Sequence, residues 1–332
     1  MSFINRIDTL VPAEKLDAFR RWMGEELPVL EGTTGEFPRR GGFVLRAWHG
    51  TTHDFTRFDP ARLRVGGFFG SVAYFTTSEE DAWRNYTEDS PDLHNHIQMM
   101  AENYVHDQDN EDDVTMEEAV EMMRARFLGA TPRVLEFFIR TTRPCLVLDD
   151  VPLELDGQQF NEDELYDEVR SGFADRLDAD PEGEEEDALW AEIDEAMEAR
   201  REAVSTRLHD IVSTAFSEAD ACPWGGEELM DRVVAILMEA KSVRDFVHRM
   251  RHDESACEIA DADGVNVSGH VMGRVLRGLG YDSIVMPHAD AIFPGMKLDR
   301  GTAHVHVFPE MLSAAKVTDS QGFDPETTEF TL

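Results

Sequence analysis

Two short stretches of the sequence place residues that could carry chemistry where apolar runs end. In RAWHGTT, His49 and Gly50 close an apolar run, and in VAYFTTSEEDAWRNY a short segment with Tyr74 leads directly into a helix pattern. An ordinary β-barrel core with polar residues where its strands end is one interpretation of this arrangement. The other is a nucleotide pocket cut into a split β-sheet. The rest of the chain has to distinguish the two.

The elements that must position these residues are predicted from periodicity and cap signals. Residues 43–50 read as a strand, and GGFFGSVAYFTTS as a glycine-rich loop followed by a short strand. Ser78 is predicted to cap the helix that begins EEDAWRNY, with acidic residues in its first turn. RVLEFFIRTTRPCLVLDDV is rich in branched and aromatic residues, which predicts two strands around Pro144.

Sheet-like and helical compositions alternate along the chain. After a long acid-rich helical region, SGHVMGRVLRGLGYDSIVMPH predicts a helix, a glycine turn and a strand, and TAHVHVFPEML predicts a final strand. We therefore expect an α+β protein whose β-rich core is interrupted by an acidic helical insertion. The predicted parts are an N-terminal helical segment at 1–40, a discontinuous core at 41–150 and 265–316, the insertion at 151–264 and a tail at 317–332.

A formal net charge of −37 is the most unusual bulk property of the chain, and its basic residues are nearly all arginine. Such a surface suits a salt-rich cytoplasm, where screening offsets self-repulsion, although a GC-rich genome also favours arginine over lysine. A surface this acidic repels nucleic acid, because phosphate binding depends on Lys and Arg contacts. It also raises mimicry of nucleic acid as a competing explanation.

Composition is typical of a folded, soluble protein, with 42% hydrophobic residues. The sequence contains neither an apolar targeting segment nor a run long enough to cross a bilayer, so we expect a cytoplasmic protein (in the host cytoplasm if the gene is viral) with no membrane partner. Cys145, Cys222 and Cys257 lack CxxC spacing, which argues against a disulfide framework or a zinc ribbon. The sequence leaves the oligomeric state open.

In this order, WHGTT, AYFTTSEEDAWRNY and GYDSIVMPH with AHVHVF resemble the ADP-ribosyltransferase superfamily, in its diphtheria-toxin and poly(ADP-ribose) polymerase-like branch with phage and polyvalent-protein forms. VLEFFIRTTRPCLVLD is similar to the central strands of that group. The resemblance covers roughly residues 43–150 and 265–316. It implies a split antiparallel β-sheet core with flanking helices, and NAD as co-substrate without a metal.

The resemblance also implies roles for the candidate residues. His49 would hydrogen-bond a ribose hydroxyl or the adenosine side of NAD, and Gly50 would offer backbone groups to the nicotinamide amide. Tyr74 would stack on the nicotinamide ring, and Tyr86 would close its other face. The expected secondary polar contacts are Thr51 and Thr76.

Each of these residues also has a purely structural interpretation. His49 can be a strand-end histidine in a turn, and Tyr74 and Tyr86 can be aromatic residues of the core. The presence of all three together with Gly50 and the downstream pieces favours the nucleotide pocket.

The sequence departs from the family at its third motif. The family usually places a glutamate there, which grips the ribose 2′-hydroxyl and stabilises the cationic transition state, whereas the matching residue here is His304. Strand alternation puts His304 and His306 on one face. A neutral histidine can bind the hydroxyl but supplies no fixed negative charge. Glu310 and Asp299 are therefore alternative carboxylates for this position.

The sequence thus predicts an NAD-dependent mono-ADP-ribosyltransferase that releases nicotinamide, with His49, Tyr74 and His304 as catalytic residues. The acidic surface favours a protein over a nucleic acid as acceptor, and it argues against the RNA 2′-phosphotransferases, which share the fold and an early His-Gly-Thr. An NAD glycohydrolase is one alternative. Another is a weak or inactive relative that serves as an acidic interaction protein or a nucleic-acid mimic.

Two further motifs have structural interpretations that we prefer. His248 and His252 have the i, i+4 spacing of metal ligands, with Cys257 beyond, but no glutamate follows the first histidine as it would in a zinc protease, so a polar helix face is expected. GGFFG at 66–70 precedes a strand instead of joining a strand to a helix, so it is not a phosphate loop. It is predicted to form flexible backbone beside the nicotinamide pocket.

Overall fold

The computed structural model of the chain is an α+β protein with long helices and a curled β-sheet. It describes residues 11, 13–24, 27–30, 36–51, 58–59, 63, 67–87, 97–98, 100–102, 104–105, 114–127, 133–179, 183–221, 226–293, 296 and 298–317. The predicted tail therefore lies outside the described residues beyond 317. Among the described residues, no helix has both the length and the apolar character that crossing a bilayer requires.

Strands and helices are numbered in chain order. The strands are β1 (Val29–Leu30), β2 (Phe43–Thr51), β3 (Ala73–Thr76), β4 (Arg133–Thr141), β5 (Pro144–Leu146), β6 (Glu154–Leu155), β7 (Gln158–Gln159), β8 (Ser283–Met286), β9 (His304–Val307) and β10 (Ala315–Val317). The α-helices are α1 (Leu16–Met23), α2 (Glu79–Tyr86), α3 (Met116–Phe127), α4 (Glu162–Gly172), α5 (Ala174–Asp178), α6 (Glu184–Glu218), α7 (Gly226–Glu239), α8 (Val243–His252), α9 (Ser268–Gly278) and α10 (Ala289–Ile292). The two strands predicted around Pro144 are β4 and β5.

Contacts divide the chain into two compact units. The first contains Met1–Arg62, Ala73–Pro144 and Asp282–Leu332, and the second contains Leu63–Val72 and Cys145–Tyr281. The predicted core segment at 265–316 includes α9, whereas the contacts of α9 group it with the second unit. The reason is α6, against which α9 packs.

The sheet of the first unit has the strand order β10-β4-β2-β3-β9-β8, with every neighbouring pair antiparallel, and β1 adds to β2 in parallel. β2 pairs with β4 along its whole length, from Phe43 opposite Thr141 to Thr51 opposite Arg133. β2 and β3, in contrast, register at Trp48 opposite Thr76. The sheet therefore opens between β2 and β3 on the side where β2 ends.

Individual side chains explain the position of α1 and the start of α2 in the first unit. Phe19 of α1 is fully buried, and its ring lies 4.7 Å from that of Phe138 on β4. Ser78 caps α2 as predicted, because its hydroxyl accepts a hydrogen bond from the Asp81 backbone N–H at 3.2 Å. In the second unit, Cys145 of β5 is fully buried.

The second unit is built on α6, a helix of 35 residues with four acidic residues in its first turn. It packs against α4, α7 and α9. Gly273 of α9 allows a close approach of the 67–70 segment, since a Cβ atom at Gly273 would lie 2.4 Å from the Phe69 carbonyl oxygen. Phe69 is fully buried. The structure thus packs the described part of GGFFG tightly on a helix, in place of the flexible backbone that the sequence predicted.

Candidate functional site

Helix α2 lies directly over the end of β2, and Gly50 makes this possible. A Cβ atom at Gly50 would lie 2.3 Å from the Ala82 carbonyl oxygen and 2.7 Å from Cβ of Tyr86. The residues of α2 that face the sheet are Asp81, Ala82, Asn85 and Tyr86, whereas Trp83 is exposed. Gly50 therefore admits the backbone of α2. The resemblance had implied, in contrast, that Gly50 allows the close approach of a nicotinamide amide.

His49 links the two strands where the sheet opens. Its Nδ1 atom lies 2.7 Å from the Tyr74 carbonyl oxygen. A carbonyl only accepts, so Nδ1 carries the proton and Nε2 of the neutral ring is an acceptor. Burial lowers the pKa of His49 from its ordinary value of 6.5, although the bond to Tyr74 opposes this effect. The imidazole is consequently neutral at pH 7.

The side chain of His49 lies on one face of the sheet and that of Tyr74 on the other. Trp48 is opposite Thr76, and directly opposed residues of antiparallel strands project to the same face. His49 follows Trp48 and projects to the opposite face, where its ring lies 5.1 Å from Phe58 and 5.6 Å from Phe75. The His49–Tyr74 contact therefore involves the backbone of Tyr74, and Thr51 shares the His49 face.

Tyr74, Thr76, His304 and His306 occupy the other face together. Tyr74 is registered opposite His306, and Thr76 opposite His304. The Tyr74 ring meets the His306 ring edge-on at 4.6 Å. The alternation predicted for His304 and His306 is confirmed by this register.

His304 is paired with a buried carboxylate that the sequence analysis did not select. Its Nε2 atom lies 3.0 Å from Oδ2 of Asp81, and both side chains are at most 3% exposed. Oδ1 of the same carboxylate accepts a hydrogen bond of 2.6 Å from Nδ2 of Asn85. Asp81 and Asn85 are one helical turn apart on α2, so both point at the sheet.

The carboxylate of Asp81 is held as an anion. Burial alone would raise the pKa of Asp81, but the hydrogen bond from His304, the charge that this ring carries when it is protonated, and hydrogen bonds from Thr76 and Asn85 lower the pKa below its ordinary value of 3.8. For His306 the two effects add, because burial and the charge of a protonated His304 both lower its pKa well below 6.5. His306 is therefore neutral, and Nε2 of His306 lies 3.3 Å from the sulfur of Met286.

Aromatic rings surround His304. Phe293 stacks on it with ring centroids 5.6 Å apart and planes 27° apart, and Tyr86 approaches edge-on at 6.0 Å. Tyr86 and Phe293 are only partly buried, whereas His304 is 2% exposed. His304 thus lies beneath two rings that themselves reach the surface.

The predicted site residues therefore form two groups. Tyr74, Thr76, Tyr86 and His304 meet on one face of the sheet, while His49 and Thr51 lie on the other face at the same end of β2. The alternative carboxylates Glu310 and Asp299 are both exposed, unlike Asp81. The signal that could have identified Asp81 is its position one turn before Asn85, on the helix face that carries Ala82 and Tyr86.

His248 and His252, with the spacing of metal ligands, lie side by side on α8 with ring centroids 4.4 Å apart. Within the described part of the chain, no group of three or more His, Cys, Asp or Glu side chains is arranged to hold a metal ion. Comparison of the chain with models of protein families, with curated proteins and with solved structures gave no match.

Proposed function

We propose that this protein is an NAD-dependent mono-ADP-ribosyltransferase with a core of ADP-ribosyltransferase type. One observation carries the proposal: the strand order β2-β3-β9 makes neighbours of the three distant chain segments that bear His49, Tyr74 and His304. Segments this far apart in sequence need not meet in a core. Their meeting at an opening in the sheet supports a ligand site better than ordinary packing does.

The residues present fit a bent dinucleotide. Neutral His49 offers Nε2 as an acceptor, which suits a ribose hydroxyl. Tyr74 and Tyr86 supply aromatic faces for a planar ring such as nicotinamide. Where strands separate, a ligand can reach side chains from both faces of the sheet, so the opposite orientations of His49 and Tyr74 are compatible with one ligand.

The reaction needs positioning more than a strong nucleophile. Departure of nicotinamide leaves an oxocarbenium-like ribose, and fixed dipoles and charges then lower the barrier. Asp81 provides such a charge, because its buried carboxylate is an anion. It bonds directly to His304, which lies beneath the rings of Tyr86 and Phe293.

The test follows NAD that is labelled in its adenine moiety, incubated with the protein in a cell extract and without one. Expected is nicotinamide release with label attached to macromolecules, and loss of both in His49→Ala and in Tyr74→Ala. The matched control is His288→Ala, at an exposed histidine. Free ADP-ribose as the sole product would replace the transferase by a glycohydrolase, and intact NAD throughout would overturn the proposal.

A further inference from the structure

The pair formed by His304 and Asp81 has the construction of a proton acceptor. The imidazole donates from Nε2 to Oδ2 of Asp81 over 3.0 Å. The carboxylate is fixed in turn by Asn85, and Thr76 also hydrogen-bonds to it. A histidine oriented in this way by a buried carboxylate has a defined tautomer, with its proton on the nitrogen that faces the acid.

The second ring nitrogen of His304 is therefore the reactive one. With the proton on Nε2, Nδ1 of the neutral ring carries the lone pair. Within the part of the chain that the structure describes, Nδ1 of His304 makes no hydrogen bond, whereas Nε2 is bound to Asp81. Nδ1 of His304 can therefore accept a hydrogen bond or a proton from a bound substrate.

The surrounding groups single out His304 as the residue that can accept a charge. Among the described residues, the titratable groups that face it are Asp81 and Tyr86 from α2 and His306 from its own strand. Asp81 is an anion and compensates an imidazolium at His304. Burial and His304 both hold the pKa of His306 well below 6.5, so His306 stays neutral.

We propose that His304 is the general base that removes a proton from the acceptor, and that Asp81 is a positioning residue that holds the ring and stabilises the imidazolium. This inference rests on the proposed transfer of ADP-ribose. It also identifies the class of acceptor. A carboxylate acceptor is already ionised at pH 7 and needs no base, whereas a hydroxyl must lose its proton as it attacks. The acceptor is accordingly a group that loses a proton as it attacks, which excludes a carboxylate, and a hydroxyl is the member of this class that the experiment below uses.

The step balances as follows. The bond between C1′ of the ribose and the nicotinamide nitrogen breaks, and its electron pair leaves with nicotinamide. The acceptor oxygen forms the new bond to C1′, and its proton passes to Nδ1 of His304. The imidazolium, compensated by Asp81, then returns that proton to solvent. No oxidant, reductant or metal enters the balance.

Phe293 is the side chain that a reactant meets on the way to His304. It stacks on the imidazole and is itself only partly buried. A substrate that contacts Nδ1 therefore lies beside this ring or displaces it.

The experiment compares two small acceptors whose capture of C1′ differs in one respect. Methanol must lose a proton when it attacks, whereas azide is an anion and needs no base. The full-length protein is incubated with NAD and equal concentrations of the two, and the methyl glycoside and the glycosyl azide of ADP-ribose are separated and quantified. Wild-type protein is expected to form both products.

In His304→Gln and in Asp81→Asn the ratio of methyl glycoside to azide is expected to fall by about a hundredfold, the usual contribution of a general base. In the wild-type protein the same ratio is also expected to be lower in D2O than in H2O, because only capture by methanol includes a proton transfer. The isotope comparison needs no variant, so it stands even where a substitution at this buried pair prevents folding.

The outcomes separate the inference from the proposed function. Nicotinamide release with a ratio that is the same in both variants and in both solvents would overturn the role of the pair while leaving the transferase in place. The absence of nicotinamide release from wild-type protein would remove the transferase, and the proposed base with it. His288→Ala, at an exposed histidine, is the control variant, in which the ratio is expected to stay at its wild-type value.

Discussion

Nδ1 of His49 donates to the backbone oxygen of Tyr74 over 2.7 Å, so a side chain of β2 bonds to the backbone of β3 next to the one registered pair of these strands. In a continuous antiparallel ladder that oxygen would bond to a backbone N–H. An imidazole at this position keeps the strands joined while they diverge. It also fixes the tautomer of His49, which leaves Nε2 as the acceptor.

The first prediction concerns His49→Phe. Phenylalanine keeps the aromatic packing on Phe58 and Phe75 but has no nitrogen, so it removes both the bond to Tyr74 and the acceptor at Nε2. We expect NAD affinity, measured by titration calorimetry, to fall by about tenfold or more. The control is His288→Phe, at an exposed histidine. Unchanged affinity in His49→Phe would show that His49 serves the strands alone.

The second prediction concerns the closeness of α2 and β2. A methyl group at Gly50 would overlap the Ala82 carbonyl oxygen, which belongs to the backbone of a capped helix and has little freedom to move. Gly50→Ala is therefore expected to lower the free energy of unfolding by about 1–3 kcal/mol. Urea denaturation measures the change.

Gly172→Ala is the matched control for that substitution. No atom lies within 4 Å of a Cβ built at Gly172, which ends α4. Alanine is favoured over glycine in a helix, so this variant should be as stable as the wild type or more stable by up to about 1 kcal/mol. Equal losses in both variants would contradict the packing argument for Gly50.

Local patterns in the sequence predicted the elements of the candidate site. Ser78 identified the start of α2, since a cap depends on residues within one turn. Alternation placed His304 and His306 on one face of β9, because the two-residue period of a strand is set by its backbone. These features depend on short-range geometry, which a sequence carries explicitly.

Long-range pairing could not be predicted in the same way. Asp81 and His304 are 223 residues apart, and in sequence Asp81 resembles any acid that favours the first turn of a helix. Only the strand order, with β9 beside β3, brings its carboxylate to the histidine. The opposite orientations of His49 and Tyr74 likewise follow from the register of β2 with β3, which no local pattern specifies.

The third prediction concerns Asp282, which lies in one of the segments resembling the transferase family. Its carboxylate accepts from the backbone N–H of Thr142 at 2.5 Å and from that of Arg143 at 3.0 Å. Asp282→Ala removes the carboxylate that accepts from these two backbone N–H groups at the turn after β4. The free energy of unfolding, measured in urea, should therefore fall by about 1–3 kcal/mol. Asp299→Ala, at an exposed aspartate, is expected to be neutral. Comparable losses in the two would refute a structural role specific to Asp282.

The fourth prediction concerns the loss of stability in mild acid. His306 and His49 both have pKa values below 6.5 in the folded protein, chiefly because they are buried. Below pH 6.5 the unfolded chain therefore binds more protons than the folded chain. The contribution of the two histidines to the free energy of unfolding is complete above pH 6.5 and declines as pH falls toward the pKa values of the folded protein. The pKa of Asp81 is also lowered, so its contribution to stability has the same sign, but it declines only as pH falls below about 3.8.

His306→Phe isolates this effect, because it keeps an aromatic ring beside Tyr74 and removes the titration. Between about pH 7.5 and about pH 5.5 the variant should lose less stability than the wild type, by about 1 kcal/mol for each unit by which the pKa is lowered within that range. Urea denaturation at several pH values measures the difference. His288→Phe removes an exposed histidine and should leave the wild-type slope intact. If His306→Phe and the wild type lost stability in parallel, His306 would bind protons equally in the folded and the unfolded chain, which would contradict its lowered pKa.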